Sequence, residues 1–168
     1  TPLLMIAASL ESASEHPLAS AVVAAAKEKN LPTQPISDFE QTAGQGIAAK
    51  IGKKLYFAGN VRMVEAFGLT PPPAISAAAQ QSAKSGETPL FIGQAPQEDA
   101  PGMLLGLLGL ADPIKPDSAA AIAALKKLGI EVTLLTGDNQ TTANAVAKRA
   151  GIDRVIAGVL PSGKANEI

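Results

Sequence analysis

The feature that most constrains this chain is a change of rhythm at Asp112-Pro113-Ile114-Lys115-Pro116. Proline fixes φ and removes a backbone donor, so two prolines so close together stop either kind of regular element. The stretch reads as a stiff connector, with Lys115 as a charge at a hinge. Beyond it, helix-like and strand-like segments alternate. Asp117 is placed to cap a helix whose apolar positions include Ile122, Leu125 and Leu128, and Gly129 is placed to close it. Residues 131–135 read as a short strand, Thr136-Gly137-Asp138 as a loop, residues 141–150 as a helix closed by Gly151, and residues 154–159 as a further strand. Alternation of this kind predicts a parallel, doubly wound α/β sheet.

The texture before the connector is different. Residues 3–10 read as an apolar helix. Pro17 fits the first position of a second helix, where its missing N–H is harmless, and residues 18–29 continue it until Asn30 and Pro32. Residues 39–51 and 54–58 read as two strands joined by the turn Ile51-Gly52-Lys53-Lys54. Residues 61–67 form a short helix ended by Gly68. Pro71-Pro72-Pro73 is a break, and residues 74–85 are an Ala-rich helix. Residues 88–94 and 103–111 read as a hairpin pair around an acidic loop. The chain is therefore expected to hold an α+β domain over residues 1–111 and part of an α/β domain over residues 112–168.

Composition narrows the function classes. With 46% hydrophobic and 17% charged residues, the 168-residue chain can build a core and does not read as disordered. Aromatics make up 3%, there is no Trp, and the net charge is −1, all of which argue against nucleic-acid binding. There is no Cys and only one His, which excludes disulfides, thiolate sites and His-rich metal sites. The longest apolar run, residues 103–111, falls far short of the roughly 20 residues that span a bilayer, and no signal peptide is visible. The start at Thr1-Pro2 and the end at Asn166-Glu167-Ile168 read as cuts in a longer chain, so a soluble fragment is expected.

Several short motifs carry chemistry, each with a plainer reading beside it. Ser14-Glu15-His16-Pro17-Leu18 places the only imidazole at a helix start, where the helix dipole disfavours imidazolium. A neutral ring there could pack on a flat purine, or simply cap the helix. Gly44-Gln45-Gly46-Ile47 lies in a strand entering a hairpin rather than a helix, so a dinucleotide-binding turn is rejected. Glycines in a strand mark a bulge or the close approach of another group. Gly59-Asn60 reads as a turn and helix cap. Thr136-Gly137-Asp138 follows a short apolar strand and precedes a helix, the place where open α/β sheets bind ligands and hold phosphate. It also reads as a turn with Asp138 or Asn139 as N-cap. Lys164, after Leu160-Pro161, is by itself an ordinary lysine.

In order and spacing, these motifs together resemble the large cytosolic loop of heavy-metal-transporting P-type ATPases. The resemblance covers nearly the whole chain, and the copper(I) exporters look most similar. It implies a nucleotide-binding domain with a twisted antiparallel sheet flanked by helices (α+β), followed by a partial haloacid-dehalogenase-like parallel α/β phosphorylation domain. It implies ATP or ADP binding, with Glu11 and His16 facing the adenine. Gly44 and Gly46 would let the nucleotide approach the backbone, Ile47 would pack beside it, and Gly59 and Asn60 would complete the pocket. Thr136, Gly137, Asp138 and Lys164 would belong to the phosphorylation site of the parent, which uses Mg2+. Thr136 would hydrogen-bond the phosphoryl group and Lys164 would offset its charge.

The implied partners are the rest of the phosphorylation domain, the actuator domain and the transmembrane part, on the cytoplasmic side of a membrane. The fragment itself would not bind the transported metal. The phosphorylated Asp-Lys-Thr-Gly-Thr, the magnesium-binding Gly-Asp-Gly-x-Asn-Asp and the Cys-Pro-Cys are absent from the sequence. The first is expected upstream of Thr1 and the second downstream of Ile168, so the fragment alone is expected to bind ATP without turnover. Two alternatives stand beside this reading: a haloacid-dehalogenase-type phosphatase, which lacks an early Asp nucleophile here, and a non-catalytic module.

Overall fold

In a computed structural model, residues 2–16, 18–98, 100–111 and 117–159 are described. The connector at residues 112–116, Pro17, Leu160-Pro161 and Lys164 lie outside them. Contacts divide the chain into two units, one of Thr1–Ala79 with Pro89–Leu110 and one of Gln80–Thr88 with Ala111–Ile168.

The first unit is a five-stranded antiparallel sheet in the order β1-β2-β3-β4-β5. Its strands are β1 (Ile36–Thr42), β2 (Gly46–Ile51), β3 (Lys54–Gly59), β4 (Thr88–Gln94, entering the unit at Pro89) and β5 (Met103–Leu110). Successive side chains on a strand point to opposite faces, and both faces of this sheet are apolar. Ile47, Ala49, Ala58 and Ile92 face one core together with Leu4, Ala7, Ala8 and Leu10 of α1 (Pro2–Glu11) and Val22 and Ala26 of α2 (Ala19–Glu28). Ala48, Phe57 and Phe91 face a second core with Met63 and Val64 of α3 (Val61–Ala66) and with Ile75 and Ala79 of α4 (Pro73–Lys84). There the Phe57 ring stacks on Phe67 with centroids 4.8 Å apart. This is the helix-flanked antiparallel sheet that the resemblance implied.

One sequence expectation is corrected here. Residues 39–51 are two strands, not one. Thr42 and Gly46 pair across a tight turn, and Gly44 sits in it at φ +71°, a conformation that a side chain disfavours. The stretch from Phe39 to Ile47 holds neither Pro nor an Asn-Gly pair to mark a turn, which is why it reads as continuous. The expected turn at Ile51-Gly52-Lys53-Lys54 is present, with Ile51 paired to Lys54. On the edge strand β1 the register shifts between Ser37 and Glu40 around Asp38, which has φ +51° and a 2.8 Å ion pair to Lys50. A bulge with charges is a common way to blunt a sheet edge.

The second unit contains α5 (Ser118–Lys127), β6 (Thr133–Leu135), α6 (Gln140–Ala150) and β7 (Arg154–Ile156). β6 and β7 pair in parallel with α6 as the crossover between them, as the alternation predicted. α6 buries Thr142, Ala143, Ala147 and Ala150 and ends at Gly151 with φ +77°. Two details differ from expectation. Asp117 occupies the N-cap position of α5 but its side chain makes no capping bond, because its backbone is helical rather than extended. No residue of α5 is buried either; Leu125 is 38% and Leu128 76% exposed.

Candidate functional site

In the first unit, four of the candidate residues form one hydrogen-bonded corner. Gly46, the first residue of β2, pairs with Gly59, the last residue of β3. Asn60 follows and caps α3, its Oδ1 accepting the Arg62 N–H at 3.0 Å. Its Nδ2 donates to the Gly44 carbonyl at 2.8 Å, and its backbone N–H donates to the Gln45 carbonyl at 2.8 Å. Asn60 thus fastens the turn before β2 to the helix after β3.

The glycines are required by the chain itself. A Cβ on Gly46 would lie 2.3 Å from the Ala58 carbonyl oxygen, and one on Gly59 would lie 2.5 Å from the Gln45 carbonyl oxygen. Ile47 is 4% exposed and belongs to the core with Ala58, so its side chain is interior.

Glu11 and His16 are placed by α1 and by the segment leading to α2. Leu10 lies in the same core as Ile47 and Ala58, and α1 packs on β2 and β3. Glu11, the last residue of α1, is only 7% exposed. Burial pushes its carboxyl above the ordinary range; the Ser14 hydroxyl and the His16 ring pull it back in smaller measure. His16 is exposed, and its Nδ1 accepts the N–H of Leu18 at 3.2 Å, just ahead of α2, whose N-cap residue is Leu18 with no side-chain capping bond of its own.

In the second unit, Thr136-Gly137-Asp138 follows β6 directly, at the carboxyl end of the parallel strands. Asn139, not Asp138, is the N-cap of α6, accepting the Thr142 N–H at 3.0 Å. Asp138 turns back on the loop instead. Its N–H donates to Thr136 Oγ1 at 3.1 Å, and its Oδ2 accepts the Thr136 hydroxyl at 3.1 Å. Its Oδ1 accepts the Thr88 hydroxyl at a long 3.5 Å. Gly158 N–H donates to the Asp138 carbonyl at 2.8 Å, which ties the loop to the end of β7. The Thr136 hydroxyl is therefore engaged by Asp138 in this arrangement. It would have to turn to serve a phosphoryl oxygen.

Reasoning from sequence missed Thr88 and Thr142. Thr142 is 2% exposed, accepts from Asn139 Nδ2 at 3.0 Å and donates to the Glu87 carbonyl at 3.2 Å. The Asn-x-x-Thr spacing from Asn139 to Thr142 was a capping signal that could have found it. Thr88 has no such local signal. Its partner lies 50 residues away. Among the described residues, no group of three or more His, Cys, Asp or Glu is placed to hold a metal ion. Nor is any helix among them long and apolar enough to cross a membrane.

A family model described as haloacid dehalogenase-like hydrolase matches residues 3–168. The chain belongs to that family. Its curated relatives include a probable copper-exporting P-type ATPase V of Mycobacterium tuberculosis, 37% identical over 99% of this chain and 21% of the relative. A copper-transporting P-type ATPase of Rhizobium leguminosarum is 42% identical over 96% of this chain and 18% of its own. A copper-exporting P-type ATPase of Bacillus subtilis is 39% identical over 99% and 20%. The chain thus spans about a fifth of the length of these relatives.

Among solved structures, a zinc-transporting PIB-type ATPase matches with TM-score 0.61 and 29% identity, over 99% of this chain and 25% of the other. The catalytic domain of a CPx-ATPase matches with TM-score 0.64 over 99% and 55%; at 20% identity it supports the fold alone. The resemblance drawn from the motifs is met by these findings. The relatives are heavy-metal P-type ATPases, mostly copper pumps, and the fold is shared with their catalytic region.

Proposed function

We propose that this chain is the ATP-binding part of a heavy-metal-translocating P-type ATPase, with copper(I) export as the activity of the parent. The observation that carries the proposal is the joining of Gly44, Gly46, Gly59 and Asn60 into one corner of the sheet. Residues far apart in sequence and singled out for one ligand are held together there. The copper pumps among the relatives support the choice of metal.

In this reading Glu11 and His16 contact the adenine of ATP or ADP. The backbone around Gly44, Gly46 and Gly59 forms the wall of the pocket. Because the Ile47 side chain and both ends of the Asn60 amide are engaged within the protein, those two residues act through the shape they impose. A carboxyl buried as that of Glu11 is, with its pKa raised mainly by that burial, fits a donor on the ligand such as an exocyclic amine. Residues 1–111 form the nucleotide-binding domain, and residues 112–168 belong to the phosphorylation domain, where Thr136, Gly137, Asp138 and Lys164 serve the aspartyl-phosphate of the parent. Mg2+ would arrive with the ATP phosphates, where it offsets charge during phosphoryl transfer. The working partners are the remaining phosphorylation, actuator and transmembrane parts of the pump, with this region on the cytoplasmic side.

Titration of the chain with ATP, with and without Mg2+, tests the proposal by amide NMR and calorimetry. Saturable binding that shifts the His16 and Gly46 amides, with no phosphate release, is expected. A response that bypasses both residues would overturn the proposal, and steady turnover would favour a free-standing phosphatase.

A further inference from the structure

His16 is fixed at three of its four polar atoms. Its backbone N–H donates to Ser14 Oγ at 3.2 Å. Its carbonyl accepts the Ala19 N–H at 2.9 Å. Its ring Nδ1 accepts the Leu18 N–H at 3.2 Å. A neutral imidazole has one donor nitrogen and one acceptor nitrogen, and the bond made by one nitrogen decides which is which. A hydrogen on Nδ1 would point at the Leu18 amide hydrogen, donor against donor.

We propose that His16 is held as the Nε2–H tautomer by the Leu18 amide, and that Ser14 is the positioning residue that keeps the ring in place. This rests on the nucleotide reading above and deepens it. What the exposed ring offers a ligand through Nε2 is a hydrogen-bond donor. The ligand atom that meets it is therefore an acceptor, of the kind found on a purine ring nitrogen or a phosphate oxygen.

Ser14 does its part through two bonds. While Oγ receives the His16 amide, the Ser14 N–H donates to the Glu11 carbonyl at 3.0 Å. Ser14 thereby ties the backbone of His16 to the last residue of α1, which carries the buried carboxyl. The two side chains proposed to read the base are set at a fixed spacing by this one serine. The motif Ser14-Glu15-His16-Pro17-Leu18 as a sequence marks the imidazole but gives no sign of this role for Ser14.

The tautomer is measured on the whole chain at pH 8 by long-range 15N correlation of the His16 ring, without nucleotide. A pyrrole-type Nε2 and a pyridine-type Nδ1 are expected, and the reverse overturns the assignment. Ser14→Ala is expected to give a mixture of tautomers and to weaken ATP binding by about threefold to tenfold, the worth of one hydrogen bond. Ser14→Thr, which keeps the hydroxyl, restores both. Unchanged tautomer and affinity in Ser14→Ala would overturn the role of the serine.

His16→Asn is the control for folding. Its Oδ1 takes the place of Nδ1 and keeps the Leu18 bond, while nothing takes the place of Nε2. It should melt as the parent chain does and bind ATP at least tenfold more weakly; unchanged affinity would overturn the donor role. Adenosine and inorganic tripolyphosphate, added separately, distinguish the acceptor. A shift of the Nε2 resonance with the first names the base, a shift with the second names a phosphate, and a shift with neither overturns the donor role. If the tautomer is as assigned but ATP does not bind at all, the nucleotide reading fails and the assignment stands.

Discussion

Glu11 combines a position at the end of α1, 7% exposure and a carboxyl pushed upward by burial. Its folded pKa lies above its ordinary value of 4.5, so between the two values the folded chain binds more proton than the unfolded one. Stability is therefore greatest below 4.5 and is lost as pH rises through the folded value. Above the folded value the ionised carboxyl is a buried anion that the fold would be more stable without. Glu11→Gln keeps the shape and removes the charge. Its melting temperature is expected to exceed that of the parent chain at pH 7.5, and to match it at pH 3.5. Thermal melts at the two pH values check this, and a lower melting point at pH 7.5 would mean that the carboxylate is paired within the protein. A residue that costs the fold stability at working pH is the kind kept for a ligand.

Elements were legible in the sequence where periodicity was clean, and were misread where it ran across a boundary. α1, α3, α4, β4, β5 and α6 lie close to where the sequence put them: α1, α3 and α4 each turn an apolar face to one core, β4 and β5 face a core on either side, and α6 buries Ala143, Ala147 and Ala150. β1 and β2 were fused because no Pro or Asn-Gly pair marks the turn at Gly44, whose φ of +71° lets the chain reverse there. α5 looked amphipathic, yet Leu125 and Leu128 meet no buried cluster. The corner around Asn60 was legible only as separate pieces. Gly59-Asn60 signalled a cap, but the bond from Nδ2 to the Gly44 carbonyl is a long-range fact that no local spacing encodes.

The same holds for the bond from Thr142 to Glu87, which fixes the start of α6 to the segment between α4 and β4. Thr142→Val keeps the volume and removes both hydroxyl bonds. It is expected to destabilise the chain by about 1–2 kcal/mol, since it leaves buried partners unpaired. It should also raise amide exchange at residues 86–88 and 139–142. Denaturant unfolding and hydrogen exchange measure the two effects, and unchanged exchange would show that the bond is not formed in solution.

At the scale of the whole molecule, the family was legible in the sequence because its motifs recur in order along the chain. The arrangement of the units was not. The connector at residues 112–116 marks the obvious place to divide the sequence, but contacts also assign Gln80–Thr88 to the second unit. The chain passes between the units after Ala79, after Thr88 and after Leu110. A shortened chain of residues 1–111 is therefore expected to keep the protection of β2, β3 and β4 from Phe91 onward, while residues 80–88 exchange much faster than in the full chain. Equal protection at residues 80–88 would show that the segment belongs with the sheet. The consequence is one for dissection. No single scissor point yields both units whole, so a gene cut at the proline-rich connector frees a sheet that still carries a strip of its neighbour, and the missing strip has to be supplied in trans, as a peptide, before the second unit can be studied by itself.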